Sequence, residues 1–218
     1  MTKKNSIKNI IHLSVGEEIG NSVTHGIMSL LLLGFLPWTA VDTYIRGGWV
    51  LSIGTSIFII SLFLMFLTSA LYHAMAYETK HKYVLRILDH IFIYFAIAGS
   101  YTPIALYIIR GWQGTLILII QWGMVLTGIL YKSIAQKSIP KLSVSIYLIM
   151  GWIAILFFPV IIQNSKPSFL AFIALGGVLY SVGAWFYTKK ERPYFHFIWH
   201  LFINFAAISH FIAIIFLI

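Results

Sequence analysis

Residues 194–218 read YFHFIWHLFINFAAISHFIAIIFLI, and within them His196-Phe197-Ile198-Trp199-His200 places two histidines four apart. The run contains no Asp, Glu, Lys or Arg. A helix of about 20 such residues crosses a bilayer core of ~30 Å, so the stretch reads as a membrane span. On a helix, residues four apart lie one turn apart on one face. Two imidazoles so placed can hold one divalent metal, as zinc-binding helices of the H-x-x-x-H type do. Ionisable side chains inside a membrane are costly, and each asks for a partner.

The rest of the chain agrees. Its 218 residues are 60% hydrophobic and 10% charged, against about 25% charged in soluble domains. A polar coat is out of reach, so the chain is expected to be an all-α, polytopic membrane protein. Seven apolar runs are placed near 20–41, 49–72, 85–107, 112–131, 142–162, 168–187 and 195–217. They are continuously apolar rather than alternating, which excludes a β-barrel and leaves helices as the spanning form. Residues 1–18 form a separate polar segment, with Lys3, Lys4 and Lys8 among Ile7, Ile10, Ile11 and Leu13. It suits a short amphipathic helix on the membrane surface or a solvated tail. No secretory signal peptide is expected there. Pro37, Pro103 and Pro159 fall inside or near the ends of spans, and Pro103 is the expected kink. There is no Cys, so thiolate ligands and disulfides are excluded.

The formal charge of +9 argues for topology rather than for nucleic acid. Twelve cations lie in the N-terminal segment and the second, fourth and sixth loops: Lys3, Lys4, Lys8, Lys80, Lys82, Arg86, Lys132, Lys137, Lys141, Lys189, Lys190 and Arg192. The intervening loops hold Arg46, Arg110 and Lys166 alone. By the positive-inside rule the amino terminus is cytoplasmic and the carboxyl terminus outside, around a seven-helix bundle.

That topology brings residues distant in sequence to one depth, just inside the cytoplasmic face. Ser69 and His73 stand one turn apart at the end of the second span, Asp89 near the start of the third, and His196 and His200 at the start of the seventh. Glu18, Asn21 and His25 begin the first. His73, His196 and His200 would supply three imidazoles, the open set of a catalytic zinc site. Zinc there would lower the pKa of water to roughly 7. Asp89 could act as general base, be a ligand, or hold a ligand imidazole in the correct tautomer. Ser69 could orient water or a substrate carbonyl. Plainer readings compete: an interfacial or packing histidine for His73, a pair with Arg86 for Asp89, a packing serine, and helix-start carboxylates for Glu17 and Glu18. His12 and His81 read as solvated and His210 as packing.

Four motifs in order, Glu18-Ile19-Gly20-Asn21-Ser22-Val23-Thr24-His25, Ser69-x-x-x-His73, Asp89 followed by Gly99-Ser100-Tyr101-Thr102-Pro103, and His196-x-x-x-His200, resemble the hemolysin III family of bacterial membrane proteins. That family belongs with the progestin and adipoQ receptors (PAQR) and, more distantly, the alkaline ceramidases. The resemblance implies a multi-pass protein of the bacterial plasma membrane. It also implies zinc at His73, His196 and His200, with Asp89 and Ser69 beside its water, and a supporting or substrate role for Glu18, Asn21 and His25. On function it offers hydrolysis of a lipid amide or ester, with membrane lipid as bilayer and substrate. The alternative is a non-enzymatic sensor, pore or lytic protein with structural zinc. A proton-coupled transporter ranks lower, because the polar residues gather at one depth.

Overall fold

A computed structural model describes residues 12–134 and 140–218. The described residues hold helices and no strand. Most of the 1–18 segment lies outside them. Its last residues already belong to the first helix, α1 (Val15–Ala74), which therefore begins earlier than the apolar run. Ser14 caps that helix. Its hydroxyl accepts from the Glu17 amide at 3.3 Å, and the Glu17 carboxylate accepts from the Ser14 amide at 3.1 Å. The two bonds satisfy two of the amide donors that a helix start leaves unpaired.

α1 is 60 residues long. Straight, it would measure about 90 Å, three times a bilayer core. It is instead two arms, residues 15–46 and 49–74, broken at Gly47 and Gly48. Gly48 has φ 69° and ψ −168°, a conformation essentially restricted to glycine. The arms fold back on each other: the Thr43 and Thr55 hydroxyls meet at 2.9 Å, Ser52 donates to the Ala40 carbonyl at 2.8 Å, and Ser22 to that of Ala70 at 3.0 Å. Each arm exceeds the ~20 residues that one crossing takes. Pro37 sits inside the first arm without breaking it.

The remaining helices are α2 (Lys80–Pro103), α3 (Gly111–Ile134), α4 (Pro140–Trp152), α5 (Phe158–Asn164), α6 (Pro167–Thr188) and α7 (Phe195–Phe211). Pro103 ends α2, and the chain continues through a π-helical turn, Ile104–Ile109. A proline nitrogen cannot donate to the preceding turn, so the ladder there must loosen. α4 and α5 form one stretch, interrupted by a 3₁₀ segment, Ile153–Phe157. The Tyr101 hydroxyl occupies the break, donating to the Gly151 carbonyl at 2.6 Å and accepting from the Ala154 amide at 3.0 Å. Among the described residues six helical stretches are long and apolar enough to cross a membrane, with α1 counted once.

α2 lies against α1, α3 and α4, while α7 lies against α6 and returns to α1. Phe58, Ile59, Leu62 and Phe66 on the second arm of α1 are buried, together with Ile117, Phe169, Ile214 and Ile215. The outward face carries Leu30, Leu31, Ile45, Trp112, Ile119 and Leu156, all well exposed. An apolar exterior over an interior that holds Asn21, His25, Asp89 and His200 is the arrangement of a protein solvated by lipid.

Candidate metal centre

His73 closes the second arm of α1, and His196 and His200 stand one turn apart near the start of α7. One ligand nitrogen from each of the three lies within 4.8 Å of the other two. The Nε2 atoms of His196 and His200 are 3.1 Å apart. Two nitrogens bound at ~2.05 Å to a tetrahedral ion stand about 3.3 Å apart, so this pair is already at ligand spacing.

The opposite nitrogens are engaged. His73 Nδ1 bonds to the Glu18 carboxylate, and its Nε2 is buried with no partner among the described residues. A buried polar atom left unpaired costs roughly 1–3 kcal/mol, which a metal at that atom would recover. His200 Nδ1 lies 2.9 Å from His25 Nε2. Carboxylate and imidazole partners of this kind fix the tautomer that leaves the ligand nitrogen free. Among the described residues the cluster is three imidazoles, and the chain has no Cys; such a donor set fits zinc in an open, catalytic-type site.

Glu18 is the hub of the supporting layer. Besides His73 it accepts from the Tyr77 hydroxyl and, at 2.8 Å, from Lys82 Nζ. Lys82 is fully buried; it also donates to the Met75 carbonyl at 3.0 Å and lies 4.1 Å above the Tyr77 ring. Desolvation, and then the bond to the Glu18 carboxylate, push the Tyr77 phenol above its ordinary pKa, so it remains a neutral donor. Glu17 does more than cap: its second oxygen accepts from the Tyr194 amide at 2.7 Å. Tyr194 has φ 62° at the entry to α7, so Glu17 fixes the start of the helix that carries two of the three clustered histidines. Gly20 allows the approach, since a Cβ there would stand 2.7 Å from the Phe197 ring.

Asp89 and Ser69 are both buried, with the Ser69 hydroxyl beside the Asp89 carboxyl. The pairing of Asp89 with Arg86 that their spacing allows does not form within 4.0 Å. The basic ring within 4.0 Å of Asp89 is His90, whose Nδ1 lies 3.7 Å from the carboxylate and 2.7 Å from the Arg86 carbonyl. Burial explains the difference: Asp89 turns into the bundle, while Arg86 stays at its edge. Asp89, Ser69 and His25 stand on the wall of a cavity of about 130 Å³, otherwise largely apolar, that runs between α2, α4, α6 and α7 past Ile93, Leu148 and Ile203. Asp89 and His196 also face a second, polar pocket. Asn21 is fully buried, with neither amide atom partnered among the described residues.

Sequence motifs and this geometry converge with similarity to known proteins. A family profile described as haemolysin-III related matches residues 13–211. The chain belongs to the haemolysin-III-related family. It is 36% identical over 203 residues to a hemolysin-3 homolog of Bacillus subtilis, covering 93% of this chain and 95% of that one. It is 34% identical over 202 residues to hemolysin-3 of Bacillus cereus, covering 93% and 92%. A human monocyte to macrophage differentiation factor is 28% identical over 155 residues, covering 69% and 64%. This haemolysin-III-related chain is thus a multi-pass membrane protein, consistent with residence in a bacterial plasma membrane.

Lys82, Tyr77 and the His25–His200 contact are the site residues that sequence reasoning missed. Lys82 counted only toward loop charge, and Tyr77 toward nothing. The one available signal was depth: both fall at the end of the bundle where Glu18 and His73 gather. His12, read as solvated, is exposed and stacks on the Tyr77 ring at 4.1 Å between centroids. His210, read as packing, lies on the cavity wall with Nε2 3.2 Å from the Ile173 carbonyl.

Proposed function

We propose that the protein is a zinc-dependent membrane hydrolase that cleaves a lipid amide or ester. The observation that carries this reading is the buried, unpartnered Nε2 of His73 beside the His196–His200 pair, with Asp89 and Ser69 on the wall of an apolar cavity. Zinc held by His73, His196 and His200 would supply a Lewis acid and lower the pKa of water toward 7.

The chain's own residues have the remaining tasks. Glu18 and His25 hold two of the imidazoles in the tautomer that presents Nε2. Asp89 accepts a proton from the attacking water and passes it to the departing amine or alcohol. The Ser69 hydroxyl, beside Asp89, donates to the substrate carbonyl. The cavity takes the acyl chain and keeps bulk water away. In this reading residues 19–218 form one seven-helix unit, with the two arms of α1 as the first two spans. The amino terminus, with the metal end of the bundle, is cytoplasmic and the carboxyl terminus outside, as the loop charges require.

Elemental mass spectrometry tests the site on detergent-purified protein without a histidine tag. About one zinc per chain is expected, lost in His196→Ala/His200→Ala. Asp89→Asn is expected to keep its zinc and to lose turnover of N-acyl and O-acyl lipids in vesicles. Well-folded protein without metal, or an Asp89→Asn variant as active as wild type, overturns the proposal. The name of the two Bacillus relatives, hemolysin-3, favours a second reading: a non-enzymatic lytic or pore protein with structural zinc. Ion leak from reconstituted vesicles, with thermal stability but no turnover dependent on zinc, would select it.

A further inference from the structure

Arg86 on α2 and Lys190, just beyond α6, face one small pocket together with Asp89, His90, His196 and Trp199. The pocket measures about 30 Å³, room for roughly two waters. The Arg86 side chain is half-buried and makes no hydrogen bond or ion pair among the described residues. Arginine is seldom withdrawn from water unless paired. Lys190 Nζ donates to the Tyr187 hydroxyl at 2.9 Å over that residue's own ring, which leaves two of its three protons for other acceptors. His90 Nε2 is also turned to the Tyr187 hydroxyl, at 3.3 Å. Among the described residues Asp89 is the one carboxylate on the pocket wall. Two cations with unused donors therefore stand against one anion, in a space too small for a sugar and of the right size for a tetrahedral oxyanion.

The polar pocket and the apolar cavity share Asp89, Tyr187 and Trp199. A ligand that fills both has a compact anionic head, an apolar tail, and its middle at Asp89. We propose that Arg86 and Lys190 form a phosphoryl subsite, and that the lipid substrate carries a phosphate headgroup on the polar side of its scissile bond. The guanidinium takes two phosphate oxygens side by side, and Lys190 closes on the third. The assignment rests on the hydrolase reading for its substrate. The subsite itself is a matter of binding, so it is tested without turnover.

Purified, tag-free protein, once stripped by chelator and once loaded with zinc, is titrated with dioleoyl phosphatidic acid, dioleoylglycerol and inorganic phosphate. Retention is read by native mass spectrometry, with thermal unfolding as a fold check. Phosphatidic acid is expected to bind at least tenfold more tightly than dioleoylglycerol, in stripped and loaded protein alike. Arg86→Gln/Lys190→Gln is expected to abolish that preference and leave dioleoylglycerol binding unchanged. Lys80→Gln/Lys189→Gln, at the same end but outside the pocket, is expected to preserve it. Should the glutamine pair fail to fold, Arg86→Lys keeps the charge, removes the fork, and is expected to reduce the preference severalfold. Equal binding of the two lipids, or equal loss in the control pair, overturns the subsite. Inorganic phosphate bound as tightly as phosphatidic acid overturns the lipid assignment and leaves a site for a free anion. Lipid preference that persists in protein unable to hold zinc upholds the subsite while the hydrolase reading falls.

Discussion

Replacing Glu18 by Gln tests whether the carboxylate sets the metal ligand. Its two oxygens accept from His73 Nδ1 on one side and from Tyr77 and Lys82 on the other. An amide offers one acceptor and one donor. If its oxygen stays with Lys82, its NH₂ meets His73 Nδ1–H, donor against donor. The imidazole then moves its proton to Nε2, the atom a metal needs bare. Loss of a partner of this kind lowers metal affinity about 10–100-fold, or about 1.4–2.7 kcal/mol. A second cost falls on the fold, because Lys82 is fully buried. Lys82 keeps a neutral acceptor but loses the opposite charge, and the cost approaches the roughly 3–5 kcal/mol of a broken buried pair, with or without zinc. The two costs separate by experiment. Zinc titration against a chromophoric chelator in detergent reads the first, and thermal unfolding of the chelated protein reads the second. Lys82→Met, which leaves the Glu18–His73 bond in place, is expected to lower stability while keeping near wild-type zinc affinity. A folded Glu18→Gln protein that binds zinc as tightly as wild type refutes the reasoning.

Two further outcomes follow from the same geometry. His25→Leu removes the partner of His200 Nδ1 and is expected to weaken zinc about tenfold, with turnover falling in proportion; an unchanged dissociation constant would make His25 a packing residue. Gly48→Ala puts a side chain at φ 69° and is expected to cost about 1–3 kcal/mol, seen as a lower unfolding temperature in both chelated and zinc-loaded protein.

How far the fold could be read follows from the physics of lipid. The apolar runs fall within helices, six stretches among the described residues being long and apolar enough to cross a membrane, because a crossing helix must satisfy its own backbone, so length and apolarity suffice to find it. The run at 85–107 corresponds to α2 and its π-helical turn, residues 80–109, and the run at 168–187 to α6 within a residue. The clustering of His73, His196 and His200 was legible for a related reason: histidines inside spans are expensive, and their order along the chain gave their depth. Partnerships between helices were not. Lys82 reaches Glu18 across 64 residues and Tyr77 across 59. Nothing local distinguishes Lys82 from Lys80, yet one is fully buried and the other exposed. The Arg86–Asp89 pair fails for the opposite reason. Spacing permits it, but the interior claims the carboxylate.

The hairpin turn at Gly47–Gly48 also bears on how the protein is made. Synthesis runs from the amino terminus, so the two arms emerge consecutively and can meet as soon as both are in the bilayer. His73 then already faces Glu18. The other two histidines of the cluster arrive with α7, more than 120 residues later, as the numbering from His73 to His196 shows. If the three clustered histidines hold an ion, a chain stalled before α7 carries one of the three, too few to retain it. Metal capture would thus register a finished molecule, and an unmetallated pool would mark interrupted biogenesis.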